Sequence, residues 1–125
     1  MLTCLIKYVI DPDKIKEFES YARVWIKLIE RHVGIHHGYF LPENNLDNLP
    51  KLDFSFPVLG KNGPENIAVA LFSFQDVEAY EVYKKSVAED KECKEITSKF
   101  KENKCLLSYE RNFLRALSNK GLDAL

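Results

Sequence analysis

Between Asp11 and Leu41 the spacing of apolar residues changes from steps of three and four to steps of two. That change sets what the chain can fold into. Asp11 can accept hydrogen bonds from the free N–H groups of a helix start, and Pro12 fits the first helical position, where a missing donor costs nothing. Ile15, Phe18, Ala22, Trp25, Ile29 and Val33 then recur at helical spacing and predict one buried stripe. Gly34 reads as the helix stop, because glycine enters the left-handed conformation without strain. After it the alternation predicts a strand with Ile35, His37, Tyr39 and Leu41 on one face and His36, Gly38 and Phe40 on the other.

The same reading extends to both sides. Residues 2–10 form a strand with Leu2, Cys4, Ile6, Tyr8 and Ile10 on one face and Thr3, Leu5, Lys7 and Val9 on the other. Both faces are largely apolar, so this strand is central and covered twice. Residues 66–74 are an uninterrupted apolar run and predict a second such strand. Asp76 caps a helix carrying Val77, Tyr80, Tyr83 and Val87, which breaks around residues 88–91 and restarts with Cys93, Ile96 and Phe100. Residues 105–114 form the last strand. The order is strand, helix, strand, strand, helix, strand: an α+β, ferredoxin-like βαββαβ fold with an antiparallel sheet. Both helices fall on one face. The opposite face also needs cover, because Leu5, Val9, Ala68, Ala70, Phe72 and Leu107 cannot all meet water. A second copy of the sheet supplies it, and two sheets packed face to face make a dimeric α/β barrel.

One domain over residues 1–115 accounts for this order, with a tail at 116–125. Residues 43–65 form a long insert between the second and third strands. It is rich in Asn, Pro and Gly at its ends but carries Leu52, Phe54, Phe56 and Val58 in alternation. Pro57 confines any strand there to an edge or arm. Four such side chains are too apolar for a free loop, which predicts an arm across the dimer or a lid over a cavity.

Charge excludes some partners. Eighteen basic and 19 acidic residues give a net charge of -1, and no basic block is visible, so nucleic acid is not an expected partner. The apolar run at residues 1–10 is interrupted by Lys7 and is too short to span a membrane. Three scattered cysteines, Cys4, Cys93 and Cys105, fit reduced thiols in the cytoplasm, each packing as a small hydrophobe.

Three segments carry a family resemblance: YVIDPDKIKEFESYARVWIKLIERHVGIHHGYFLP, ALFSFQDVEAYEVYKKS and LLSYERNFLRAL. They resemble the NIPSNAP family over nearly the whole chain outside residues 43–65 and the tail. The helix–glycine–strand join of Arg31, His32, Gly34, Gly38, Tyr39 and Phe40 is the most specific part, followed by the Glu110–Arg111 pair. The chain departs from the pattern in the insert after Pro42. The resemblance implies the dimeric α/β-barrel superfamily, which includes cofactor-independent monooxygenases of antibiotic synthesis. It implies no general activity for the family itself.

Candidate chemistry is sparse. His32, His36 and His37 are the only histidines. Neighbours on a strand point to opposite faces, so His36 and His37 cannot share a metal, and no metal site is expected. One of the two is expected to face the helices. The other lines the barrel as an acid–base group, since imidazole changes charge near neutral pH. Lys7, Tyr39, Phe72, Glu110 and Arg111 are the candidate ligand-binding residues. Arg111 suits a carboxylate, and a Lys7–Glu110 pair reads equally as a stabilising cross-strand contact. No phosphate loop, GxSxG or paired-acid motif is present, and no cofactor is expected. The expected function is an apolar or aromatic small molecule bound in a barrel cavity of a homodimer, oxygenated or isomerised there. The alternative is a non-enzymatic binding or association module with a filled barrel.

Overall fold

The computed structural model describes residues 1–43, 45, 47 and 49–117. The elements run β1 (Leu2–Ile10), a tight helical turn (Pro12–Lys14), α1 (Ile15–Arg31), β2 (Ile35–Phe40), β3 (Ile67–Phe74), α2 (Val77–Ala88), α3 (Lys91–Asn103) and β4 (Leu106–Leu114). The sheet order is β2-β3-β1-β4 with all neighbours antiparallel. This is the expected βαββαβ arrangement, with its second helix broken in two. From residue 118 the tail lies outside the described residues.

The helix starts follow the sequence. Asp11 accepts from the Asp13 N–H at 3.0 Å, Asp76 from the Ala79 N–H at 2.8 Å and Asp90 from the Glu92 N–H at 2.9 Å. Asp90 is also the hinge pin of the helix layer. Its Oδ2 accepts from Arg31 Nη1 at 2.9 Å and lies 2.7 Å from His32 Nε2, while Arg31 Nη2 reaches Glu92 at 2.7 Å. His32 and Arg31 hold the Asp90 carboxyl well below the usual carboxylate range. The end of α1 is thereby fixed to the break between α2 and α3.

The stop after α1 works differently from the expectation. Gly34 does not take the left-handed conformation; Val33 does, at φ 73°. The Val33 N–H donates to the Glu30 carbonyl at 3.2 Å and the Gly34 N–H to the Ile29 carbonyl at 2.8 Å, the paired bonds of a Schellman turn. Val33 therefore leaves the buried stripe and is 87% exposed. Gly34 is required for space instead: a Cβ there would lie 2.7 Å from Ile29 Cγ2 and 3.1 Å from the Phe74 ring.

The strand faces need two further corrections. A bulge at His37 interrupts the pairing of β2 with β3, so His36 opposes Phe72 and Gly38 opposes Leu71. Gly38, at φ +138°, absorbs the irregularity. The bulge moves Tyr39 to the helix side with His36 and puts Gly38 and Phe40 on the other face, against simple alternation. In β3, Ala68, Ala70 and Phe72 pair with Tyr8, Ile6 and Cys4. They face the helices, not the open side. The open face instead carries Leu5, Val9, Ile67, Val69 and Leu71, all partly exposed in the single chain, with Phe40 beyond them.

The core lies on the helix side and includes Phe18, Leu28, Ile29, Phe74 and the buried, unpaired thiols of Cys4, Cys93 and Cys105. Among the described residues no helix is long and apolar enough to cross a membrane.

The α1 turn generates a paired prediction. Val33→Gly relieves a β-branched residue in left-handed backbone and raises stability by about 1 kcal/mol. Gly34→Ala forces its methyl into Ile29 and Phe74 and lowers stability by about 1–3 kcal/mol. Urea denaturation of the two variants checks both signs.

Candidate functional site

The helix layer is narrower than the sheet. α1 packs over β2 and α3, and α2 over β3, which leaves the helix-side surface of β4 without a roof. Between the helices and the sheet a cavity of about 370 Å³ remains, within the size range of small-molecule sites. Phe18 is buried in the core as the helical stripe predicts, while Trp25 borders the cavity.

The floor of the cavity comes from the sheet: Ile6 and Tyr8 on β1, Tyr39 on β2, Phe72 on β3, and Tyr109 and Arg111 on β4. Tyr21, Trp25 and Ile29 of α1 form one wall. Tyr80, Tyr83 and Lys84 of α2 and Thr97, Phe100 and Lys101 of α3 form the others. The rings brace one another. Tyr21 stacks on Phe100 with centroids 3.8 Å apart, Tyr8 stacks toward Tyr39 at 6.4 Å, and Tyr80 meets Phe113 edge-on at 5.1 Å. At the β4 side, Arg111 Nη1 donates to Tyr80 Oη at 3.1 Å, and its guanidinium lies 4.8 Å over the Phe113 ring.

Burial decides the protonation of these groups. It pushes the Tyr8 phenol up to about 12 and raises those of Tyr21, Tyr39 and Tyr83 further. Tyr80 is also raised by burial, with the Arg111 charge opposing. The phenols therefore stay neutral at ordinary pH. The Trp25 indole N–H is buried with no hydrogen-bond partner among the described residues. Among the described residues no His, Asp or Glu lines the cavity.

Of the residues singled out from the sequence, Tyr39, Phe72 and Arg111 come together at this cavity. Lys7 and Glu110 do not: they oppose each other in register on the other face of the sheet, and among the described residues no ion pair closes between them. His36 faces the helix side, where its ring stacks on Tyr39 at 5.6 Å and burial lowers its pKa. It touches the cavity only through Tyr39, and its Nε2 is buried without a partner. His37 lies on the open side, with Nε2 2.6 Å from Ser73 Oγ, which is itself 2.8 Å from Thr3 Oγ1. Neither histidine lines the cavity. Among the described residues no group of His, Cys, Asp and Glu could hold a metal ion. Sequence reasoning missed Tyr21, Trp25, Thr97, Lys84 and Lys101 as a common lining. The available signal was the concentration of aromatic residues on the helices, Tyr21, Trp25, Tyr80, Tyr83 and Phe100.

The shifted phenols give a pH prediction. An unfolded tyrosine ionises near 10.0, whereas Tyr8 holds its proton to about 12. The folded state therefore binds more protons in that window, and stability falls as pH rises from about 10. At about pH 11 the native protein shows less than half the phenolate absorbance of the urea-unfolded chain. Equal absorbance in the two states would show that the ring cluster is open to water.

The same fold recurs in solved structures. The protein Atu4242 from Agrobacterium tumefaciens matches with a TM-score of 0.71 and 15% identity, over 95% of this chain and 96% of that one. An uncharacterised NIPSNAP domain protein from Burkholderia xenovorans matches with a TM-score of 0.69 and 17% identity, over 95% and 97%. A candidate antibiotic biosynthesis monooxygenase from Nitrosomonas europaea matches with a TM-score of 0.62 and 8% identity, over 94% and 100%. At these identities the likeness is one of fold. No curated protein matches the chain in sequence. The family evidence falls on the second half of the chain, outside the helix–glycine–strand join that carries the resemblance most specifically. The sequence pattern of NIPSNAP matches residues 55–119, just over half of the chain, and the protein belongs to the NIPSNAP family.

Proposed function

We propose that the protein is a homodimeric small-molecule-binding protein of the cytoplasm. Its ligand is a flat, apolar or aromatic molecule held between helices and sheet. The observation that carries the reading is the aromatic-lined cavity between helices and sheet. The lining offers no carboxylate or imidazole, so binding stands ahead of acid–base catalysis by His36 or His37. The monooxygenase or isomerase reading keeps only the support of shared fold, through the Nitrosomonas neighbour.

The dimer rests on the open face. Leu5, Val9, Val69 and Leu71 form an apolar surface that a second sheet covers. The insert supports it as well. Phe56 is 71% and Val58 98% exposed, with Leu52 and Leu59 also outside. The segment is a turn, with the Gly60 N–H donating to the Phe56 carbonyl at 2.9 Å, rather than a strand. None of its described residues lines the cavity, which favours an arm over a lid.

Two experiments test this. Trp25 is the only tryptophan, so its fluorescence reports the cavity directly. Naphthalenemethanol or naphthoate should quench it with a dissociation constant below roughly 1 mM. Thr97→Phe, which fills the cavity, should weaken binding roughly tenfold or more. Absence of quenching by both compounds would refute the binding reading. Light scattering should give twice the 14.5 kDa chain mass. Replacing residues 45–61 by a short glycine-containing turn should weaken dimerisation roughly tenfold or more while leaving quenching unchanged. A stable single-chain mass would remove the dimer, and an unchanged dimer affinity would remove the arm.

A further inference from the structure

We propose that the cavity selects an anionic aromatic ligand, its negative charge held by Arg111, Lys84 and Lys101. The inference rests on the binding reading above and names the ligand's charge. Three cations from three separate elements, β4, α2 and α3, line one cavity, and no acidic residue lines it with them. Among the described residues none of the three enters an ion pair; the ion pairs that do form involve Arg23, Arg31, His32 and Lys94. In a chain with 18 basic and 19 acidic residues, this local excess departs from the average. Like charges set around one cavity repel one another, and an anion between them removes that cost.

The geometry of Arg111 fits a carboxylate. Its guanidinium is held by the Phe113 face and by one bond to Tyr80. The remaining N–H groups keep their fork for a planar oxyanion. The neutral groups agree with the charged ones. Burial keeps the phenols protonated and able to donate. The cavity thus offers ring surface for an aromatic body and a surplus of donors for oxygen atoms of negative charge.

The test compares naphthoate with naphthalenemethanol, which share a ring system and differ in charge, by Trp25 quenching. Naphthoate should bind roughly tenfold or more tightly, as hydrogen bonds to charged groups do. That preference should shrink between about 50 mM and about 500 mM salt. Arg111→Ala should abolish most of it, Arg111→Lys should keep part, and the Lys84→Gln, Lys101→Gln pair should reduce it. All of these positions are solvent-facing in part, and an unchanged far-ultraviolet spectrum confirms that the variants fold. If the alcohol binds as tightly as the acid, or if the preference survives Arg111→Ala, the charge assignment is wrong while the binding reading stands. If neither compound binds, both fall.

Discussion

The mismatch between a three-helix layer and a four-stranded sheet is the constraint on which the rest of the structure depends. α1 and α2 cover β2 and β3, α3 packs on α1, and β4 keeps its helix-side residues Tyr109, Arg111 and Phe113 in the open. Close-packed interiors tolerate few voids larger than water. The rings around this cavity pack on one another, as Tyr21 with Phe100 and Tyr80 with Phe113 do. The contacts of Arg31 and His32 with Asp90 tie the end of α1 to the break between α2 and α3.

Much of the fold was legible because helix starts carry their own chemistry. Asp11 and Asp76 are each followed by helical spacing and cap a turn and a helix as read, and Asp90, within the break read at residues 88–91, caps the restarted helix. What failed was phase. A period-two reading assumes an unbroken ladder, and one bulged residue at His37 reverses every face after it. Gly38 within a strand was the available sign. The ends of α1 show a related limit. Glycine after a helix suggests left-handed backbone, yet Val33 takes that conformation because Gly34 is needed where Ile29 and Phe74 leave no room for a Cβ. Spacing alone does not separate those two demands.

The site was less legible than the fold. Tyr39, Phe72 and Arg111 were singled out and converge, but Tyr39 reached the cavity side only through the bulge. Lys7 and Glu110 went to the opposite face because both follow the odd register of β1 and its partner positions on β4. Trp25 read as core, and in composition it is indistinguishable from core. Whether an aromatic fills space or borders a void depends on what stands opposite it across the sheet, and that is a long-range pairing. The lysines illustrate the same point. Lys84 and Lys101 lie on different helices and acquire a shared meaning only when both border the same hollow as Arg111.

β4 is where the two faces of the sheet meet. Along this one strand Tyr109, Arg111 and Phe113 point to the helix side, while Ser108, Glu110, Asn112 and Leu114 pair with the open-face residues of β1. It pairs along its length with β1 alone, so a shift of β4 needs only that ladder to give. A partner sheet covering the open face would press on Glu110 and Asn112 and, through the pleat, on Arg111 between them. An anion drawing Arg111 inward would pull the same strand from the other side. Ligand and partner would then act on one element whose alternate residues serve different surfaces. Any energetic coupling between them is reciprocal by linkage.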